Sequence, residues 1–293
     1  MVQQSNTAAK AVGSVHQHID TARDDPTAPL WLGTDVETDD PVTVAPEQRF
    51  SPLLITGTTR TGKTTLCHHI ATQQLVPDSG LCYVSASGHA FAPPQPTDRM
   101  RTTISPTTAR TSDPSVAVPA DIGMETTIHS VRWDPGTDTA TKTALTQALI
   151  DQLLTNLHRQ RGTPGAAPYT LVLDGLTALG DIDPTTLDQL LSEAHTCRLS
   201  VVIATQTLTR LPSGVQHPLD EQVLTALTGR VAANDATHLA HTSPTVTPDD
   251  LHTLPRYQWW LWQDTREGPQ DHQFASAPLS APTSTSTHDE GEP

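Results

Sequence analysis

Short apolar runs alternate with longer amphipathic stretches along most of this chain. Runs rich in β-branched and aliphatic residues predict strands, and the amphipathic stretches between them predict helices. The predicted strands are Leu53–Thr56, Leu81–Ser85, Ile128–Trp133, Thr170–Asp174, Ser200–Thr205, Arg230–Ala233 and Gln258–Trp262, and the predicted helices are Gly62–Gln74, Thr139–Arg159, Thr185–Cys197 and Glu221–Thr228. Because strands that alternate with helices build parallel sheets, the pattern predicts an α/β fold with helices on both faces of a mainly parallel sheet.

Three polar stretches flank or interrupt this pattern. Residues 1–28 and the acidic tail 276–293 lack apolar periodicity, so we expect both to be disordered around a single domain over 29–275. Residues 86–127 are rich in Pro, Thr and Ser and carry Arg99, Arg101 and Arg110. A loop of this length is either a solvated insertion or a functional segment, here one that projects toward a polyanion.

The charge balance is strongly acidic. Lys and Arg total 17 against 32 Asp and Glu, which gives a formal net charge of −15, and the lysines are Lys10, Lys63 and Lys142. Because the acid is spread along the chain, it favours adaptation to high intracellular salt over a basic partner. The three scattered cysteines form no CxxC pair, and no apolar run is long enough to cross a bilayer. We therefore expect a cytoplasmic protein without membrane insertion, disulfide framework or zinc site.

The motif GxxxxGKT follows the predicted strand Leu53–Thr56 and leads directly into a predicted helix, which is the context that a phosphate-binding loop requires. Backbone N–H groups of such a loop and the helix N-terminus bind the phosphates of ATP. Lys63 is expected to reach the β- and γ-phosphates, and the Thr64 hydroxyl is expected to bind Mg²⁺. The loop residues predicted to contact nucleotide are Gly57, Thr58, Thr59, Arg60, Thr61, Gly62, Lys63, Thr64 and Thr65.

Two later strands end in polar residues that complete this site. The run Tyr169 to Asp174 ends in a carboxylate that fits a Walker B strand, where it would help to hold Mg²⁺. The run Leu199 to Gln206 ends in an amide, at a place where many P-loop motors sense the γ-phosphate or orient the attacking water. The sequence therefore predicts Lys63, Asp174 and Gln206 as catalytic residues and Thr64 with Asp174 as the metal-binding pair.

Read together, these motifs resemble the FtsK/HerA superfamily of DNA-pumping ATPases. The segments Leu32–Asp35, Ser51–Thr59, Ala194–Gln206 and Val223–Val231 are similar to successive motifs of that family. The resemblance implies a RecA-like ATPase domain, assembly as a ring (usually a hexamer), ATP and Mg²⁺ as cofactors, and double-stranded DNA in the central pore. It also implies a trans-acting arginine at Arg230, with Arg198 and Arg210 as weaker candidates.

Three positions depart from the family pattern. Gly175 stands where the family has a glutamate as general base, so either Asp181, Asp183 or Glu193 substitutes for it or hydrolysis is slow. Arg60 stands at a loop position that is often glycine, and the strand ending at Ser85 lacks a following aspartate. These features suggest a divergent member, as viruses and plasmids carry.

Three functions fit these residues. The favoured one is an ATP-driven DNA translocase or genome-packaging ATPase of an archaeal virus or plasmid. Its grip on DNA would not depend on base sequence, and capsid or membrane-complex proteins would be its further partners. The second is a nucleotide-dependent binding protein that barely hydrolyses ATP, as Gly175 suggests. The third, a small-molecule kinase, fits less well because two predicted strands separate the phosphate loop from Asp174.

Overall fold

One mixed eleven-stranded sheet organises the chain in a computed structural model. The structure describes residues 25, 27–87, 91, 101–104, 118–124, 126–134, 136–161, 163, 167–241, 243, 245–265 and 267–276. The strands are β1 (Leu30–Asp35), β2 (Pro41–Val44), β3 (Leu53–Thr56), β4 (Gly80–Ser85), β5 (Arg101–Ile104), β6 (Ile128–Val131), β7 (Tyr169–Asp174), β8 (Leu199–Thr205), β9 (Thr225–Thr228), β10 (Gln258–Thr265) and β11 (Gly268–Ser276). The helices are α1 (Lys63–Gln74), α2 (Thr139–Gln160), α3 (Leu176–Leu179), α4 (Pro184–Glu193), α5 (Ser213–Gln222), α6 (Ala233–Ala240) and α7 (Pro248–Thr253).

The sheet has a parallel part and an antiparallel part. Its strand order is β2-β1-β11-β10-β9-β3-β8-β7-β4-β6-β5. The seven strands from β9 to β5 run parallel, whereas β10, β11, β1 and β2 pair antiparallel with their neighbours. The carboxyl ends of the parallel strands therefore lie along one edge of the sheet, where ligands bind in open α/β folds.

Both faces of the sheet are covered, so successive residues of the central strands enter two separate cores. Leu53 and Ile55 of β3 pack with Leu66 and Ile70 of α1 on one face. Leu54, together with alternate residues of β7 and β8, packs with α2 and α4 on the other face. This two-sided burial explains why the central strands are continuously apolar.

The predicted α/β fold is confirmed, and most predicted elements lie within a few residues of their observed positions. Helix α4 begins as predicted, because the Asp183 side chain accepts a hydrogen bond from the Thr186 N–H and Pro184 occupies its first turn. Two predictions on neighbouring segments are wrong. The segment predicted as helix Glu221–Thr228 is the end of α5 followed by strand β9. The segment predicted as strand Arg230–Ala233 is the loop before α6 and the first residue of that helix.

The antiparallel part contains strands that the apolar pattern did not predict, namely β1, β2 and β11. Strand β5 lies within the stretch 86–127 that was predicted as an insertion. Residues 1–24, most of 88–117 and residues 277–293 lie outside the described part of the chain, so the predicted disorder of the two termini and the nature of the insertion remain predictions. Within the described part, no helix is both long and apolar enough to cross a membrane.

Candidate phosphate-binding site

The loop between β3 and α1 lies at the carboxyl edge of the parallel strands. Gly62, which precedes α1, has φ +108°, and Arg60 has φ +67°. Arginine is unusual in this left-handed conformation, which is the reason that glycine suits the Arg60 position. The Thr58 N–H and hydroxyl both donate to the Arg230 carbonyl, at 2.7 and 3.0 Å, so the loop is anchored to the segment after β9.

Lys63 points back across this loop. Its Nζ donates to the carbonyl oxygens of Gly57 at 2.6 Å and Thr58 at 2.9 Å, and only 9% of the residue is exposed. Burial lowers the pKa of Lys63 from its usual value, and the nearby Asp174 carboxylate partly opposes that shift. The ammonium group is therefore held inside the loop by carbonyls that an anionic ligand could replace.

Asp174, at the end of β7, is buried and accepts hydrogen bonds from three hydroxyl groups. Its Oδ2 accepts hydrogen bonds from Thr64 at 2.9 Å and from Tyr83 and Ser85 at 3.3 Å. Ser85 stands at the end of β4, and its hydroxyl takes part in the hydrogen bonding of Asp174. The predicted pair of Thr64 and Asp174 thus meets in the structure through direct contact.

These residues open onto one cavity of about 460 Å³. Its walls come from the phosphate loop, from the ends of β4, β7 and β8, and from the turn before β10. The lining residues are Thr59, Arg60, Gly62, Lys63, Thr64, Thr65, Ala86, Ser87, Asp174, Gly175, Ala178, Gln206, Arg256 and Tyr257. Another cavity, of about 440 Å³, lies among Gln48, Leu191 and Asp264 and contains none of the predicted site residues.

Gly175 has a backbone conformation that disfavours a glutamate at this position. Its φ is +99°, and a Cβ at this position would lie 2.8 Å from the Ala86 Cβ. The three carboxylates suggested as substitutes are not among the residues that line the cavity. Asp183 caps α4 and Glu193 contacts His158 near the far end of that helix, while Asp181 and Asp183 line a separate groove beside α2. Within the described part of the chain, Asp174 is the one carboxylate of the cavity.

The remaining predicted residues divide by their position on the sheet. Gln206 is exposed after β8, and its Oε1 lies 3.4 Å from the Thr59 hydroxyl, so it belongs to the cavity. Arg230 is exposed directly beside the loop that its carbonyl anchors. Arg198 precedes β8 at the opposite edge of the sheet, with its guanidinium over the Phe50 ring, so it lies outside this cavity, and its role toward a neighbouring subunit remains a prediction.

Among the residues of the cavity wall that were not predicted from the sequence, two carry side chains that can contact a ligand through charge or stacking. Arg256 and Tyr257 form the turn that leads into β10, and the Tyr257 N–H donates to the Thr61 carbonyl of the phosphate loop at 3.3 Å. The sequence around them carries no motif. Only the antiparallel pairing of β10 with β9 brings the start of β10 to the same edge as the phosphate loop.

Two histidines and two tryptophans near the phosphate loop pack within the fold. The His68 ring contacts Tyr83 and Phe91, and His69 Nε2 lies 2.8 Å from the Trp31 carbonyl on the face covered by α1. Trp259 is fully buried in the same core, where it packs with apolar side chains.

No protein-family model and no curated protein sequence matches this chain. Solved structures with a similar fold do exist. The bacterial conjugative coupling protein TrwB matches with a TM-score of 0.63 at 10% identity, over 91% of this chain and 92% of that chain. VirB4 of Thermoanaerobacter pseudethanolicus matches with a TM-score of 0.59 at 12% identity, over 86% of this chain and 97% of that chain.

A third similar structure belongs to a longer chain. EccC of Thermomonospora curvata (ATPases 2 and 3) gives a TM-score of 0.56 at 16% identity, covering 87% of this chain but only 42% of that chain. This chain therefore spans less than half of that EccC chain. At such identities the likeness shows the fold, which is the RecA-like α/β fold of P-loop ATPases, and this confirms the fold that the family resemblance implied.

Proposed function

We propose that this protein binds ATP with Mg²⁺ at the loop of residues 57–64 and hydrolyses it as a motor ATPase of the FtsK/HerA type that moves double-stranded DNA. The observation that carries the proposal is the meeting of Lys63, Thr64 and Asp174 in one cavity at the carboxyl edge of the sheet. A lysine, a hydroxyl and a carboxylate in this arrangement suit a magnesium-bound triphosphate.

Each of these residues has a role in this proposal. Lys63 exchanges the loop carbonyls for phosphate oxygens, and the Gly62 end of α1 adds its partial positive charge. Thr64 and Asp174 supply hard oxygen donors of the kind that Mg²⁺ prefers, and the ion would neutralise charge on the phosphates. Gln206, beside Thr59, orients the attacking water.

The motor part of the proposal draws on the fold and on the sequence resemblance. Similar folds occur in proteins named for conjugation and as ATPases. A homo-oligomeric ring would bring the exposed Arg230 to a neighbour's phosphates, while its carbonyl stays bonded to its own Thr58. DNA would be gripped through its backbone without sequence specificity. Capsid or membrane-complex proteins would be further partners of a cytoplasmic or virion-associated motor.

Gly175 favours a second candidate, a nucleotide-dependent binding protein with little hydrolysis. The left-handed backbone and the contact with Ala86 leave no room for a general base at that position. Losing a general base costs on the order of 10²–10⁴ in rate. Slow turnover would suit a switch whose state depends on which nucleotide is bound.

ATP hydrolysis in molar KCl, with and without double-stranded DNA, tests both candidates. The key variant is Lys63→Ala, and Arg159→Ala is the control because it removes a positive charge from the exposed end of α2. We expect turnover that DNA stimulates and that Lys63→Ala abolishes, whereas Arg159→Ala keeps it.

The other outcomes separate the two candidates. Suppose that ATP binds tightly, that binding depends on Lys63, and that no turnover occurs with or without DNA. This outcome would contradict the motor ATPase and support the nucleotide-dependent binding protein. If wild-type protein fails to bind ATP, or if Lys63→Ala binds it equally well, the phosphate site itself is wrong.

A further inference from the structure

Arg256 and Tyr257 form a paired surface on one wall of the phosphate cavity. The Arg256 guanidinium lies 4.5 Å from the centre of the Tyr257 ring, and its Nη2 donates to the Tyr257 hydroxyl at 2.6 Å. Both side chains are exposed, Tyr257 to 39%. Among the residues that the structure describes, no carboxylate forms an ion pair with Arg256. Its charge is thus held over an aromatic ring and left open toward the cavity.

The backbone of Tyr257 is held in an unfavourable conformation beside the loop. Its φ is +65°, a region that bulky residues avoid. Two hydrogen bonds fix it, from the Tyr257 N–H to the Thr61 carbonyl at 3.3 Å and from the Ser276 N–H to the Tyr257 carbonyl at 3.0 Å. The ring rests on Gly62, where a Cβ would lie 2.7 Å from Tyr257 Cδ1. Strain of this kind concentrates at functional sites.

The sheet order places this pair on a defined side of the phosphate loop. Strands β8 and β7, which end in Gln206 and Asp174, lie on one side of β3. Strands β9 and β10 lie on the other side, and β10 begins with the Arg256–Tyr257 turn. If the terminal phosphate lies on the Asp174 side, the nucleoside end of a bound nucleotide would lie toward Arg256 and Tyr257.

We propose that Arg256 and Tyr257 form a stacking platform for the nucleobase of the nucleotide bound to the same subunit. This inference rests on the proposed function, because it requires a nucleotide on the phosphate loop. A planar guanidinium held over an aromatic ring can stack on a purine through its open face. Stacking depends little on which base is present, so ATP and GTP should bind with similar affinity.

The test compares two ligands that differ by the nucleoside. Mg-ATP and inorganic tripolyphosphate are titrated into wild-type protein, Arg256→Ala and Tyr257→Gly by calorimetry. Glycine at 257 removes the ring and accepts the positive φ, so the turn is expected to stay folded. We expect each variant to lose about ten-fold in ATP affinity, the size of one stacking contact, with unchanged affinity for tripolyphosphate.

Tyr257→Phe serves as the conservative variant, since it keeps the ring and should retain most of the ATP affinity. Equal losses for ATP and tripolyphosphate would overturn the platform and make Arg256 a phosphate ligand. Unchanged affinity for both ligands in Arg256→Ala and Tyr257→Gly would also overturn it. If wild-type protein binds neither ligand, or Lys63→Ala changes neither affinity, the failure lies with the proposed function instead.

Discussion

At the scale of single residues, Gly175 decides how this site can work. The residue ends the Asp174 strand, and its N–H donates to the Ala204 carbonyl of the neighbouring strand β8. Its left-handed φ of +99° turns the chain into the short helix α3, and Ala86 fills the space that a side chain would need. The backbone conformation and the contact with Ala86 therefore both disfavour a glutamate at this position.

This geometry makes a prediction for Gly175→Ala and Gly175→Glu. We expect the alanine variant to lose about 1–3 kcal/mol in the free energy of unfolding, from the left-handed conformation and the contact with Ala86. Gly136→Ala is the matched control, because Gly136 has φ +87° and a Cβ added there would meet no heavy atom within 4 Å, so this variant carries the backbone cost alone. Urea unfolding should show the larger loss at position 175.

For Gly175→Glu we expect a similar loss of stability and no gain in ATP turnover, because the new carboxylate can enter only by displacing Ala86. Turnover that rises with unchanged stability would contradict this expectation. It would show that the site accepts a general base and lacks only that group.

Lys63, Thr64 and Asp174 could be predicted from the sequence because each belongs to a motif with fixed local spacing. Arg256 and Tyr257 could not, because their place in the cavity depends on the pairing of β10 with β9, which joins residues such as Trp260 and Thr228 that are distant along the chain. No local sequence pattern marks such a contact. The roles of Lys63, Thr64 and Asp174 remain predictions, as do those of Gln206 and Arg230, which lie at the same edge of the sheet.

At the scale of elements, helix α1 is fastened to β1 by buried polar groups. Gln73 accepts from the Trp31 N–H at 2.8 Å and donates to the Trp31 carbonyl at 2.7 Å, and His69 Nε2 lies 2.8 Å from that carbonyl. These bonds lie where the pairing of β1 with β2 is irregular, between Trp31 and Gly33. The helix that carries Lys63 is thus tied to the antiparallel part of the sheet.

The burial of His69 predicts a dependence of stability on pH. Desolvation lowers the pKa of His69 to about 4, against an ordinary value of 6.5. Between these pH values the unfolded chain binds a proton at His69 that the folded chain does not. The free energy of unfolding therefore falls as the pH is lowered from about 6.5 to about 4. The full loss from this residue is about 3 kcal/mol, and none of it is present above pH 7.

Urea unfolding of wild type and His69→Gln at pH 7 and pH 5 measures this effect. Glutamine can still donate to the Trp31 carbonyl but does not titrate. The His69→Gln variant should therefore lose less stability between pH 7 and pH 5 than the wild type does. The exposed His241→Gln is the control and should lose as much as wild type. Equal losses in all three proteins would show that His69 does not carry the dependence.

The wrong predictions at this scale fall on the segment from Glu221 to Ala233. Its mixture of aliphatic and threonine residues fits either a short helix or a strand. Residues Thr225–Thr228 form a strand because their parallel pairing with β3 buries Leu227 in the core beside the phosphate loop. A tertiary contact of this kind overrides local propensity.

At the scale of the whole molecule, the parallel and antiparallel parts of the sheet differ in how far the sequence predicts them. The parallel strands are buried on both faces, so they appear as continuous apolar runs. Strand β11 buries only Phe274 among nine mostly polar residues, and it therefore carries no apolar pattern. Yet β11 and β10 hold the Tyr257 turn in place, so the less predictable part of the fold supplies one wall of the site.

The net charge of −15 makes a prediction for the molecule as a whole. Repulsion among acidic side chains opposes the compact state and is screened as the Debye length falls from about 10 Å at 0.1 M salt to about 3 Å at 1 M. We expect KCl over this range to raise the free energy of unfolding by at least about 1 kcal/mol, or roughly 2–4 °C in Tm for a chain of this size. Thermal unfolding followed by circular dichroism measures the shift.

A charge-neutralised variant separates screening from a general effect of salt on burial. Glu37, Asp39 and Asp40 are exposed in the turn between β1 and β2, and replacing them with Gln, Asn and Asn reduces the net charge from −15 to −12. Asparagine suits position 39 because it tolerates the φ of +60° found there. If screening is the cause, this variant is more stable than wild type at 0.1 M KCl and gains less from added salt. An equal gain in both proteins would mean that salt acts through the burial of apolar surface, and the acidic composition would then have no part in the stability of the fold.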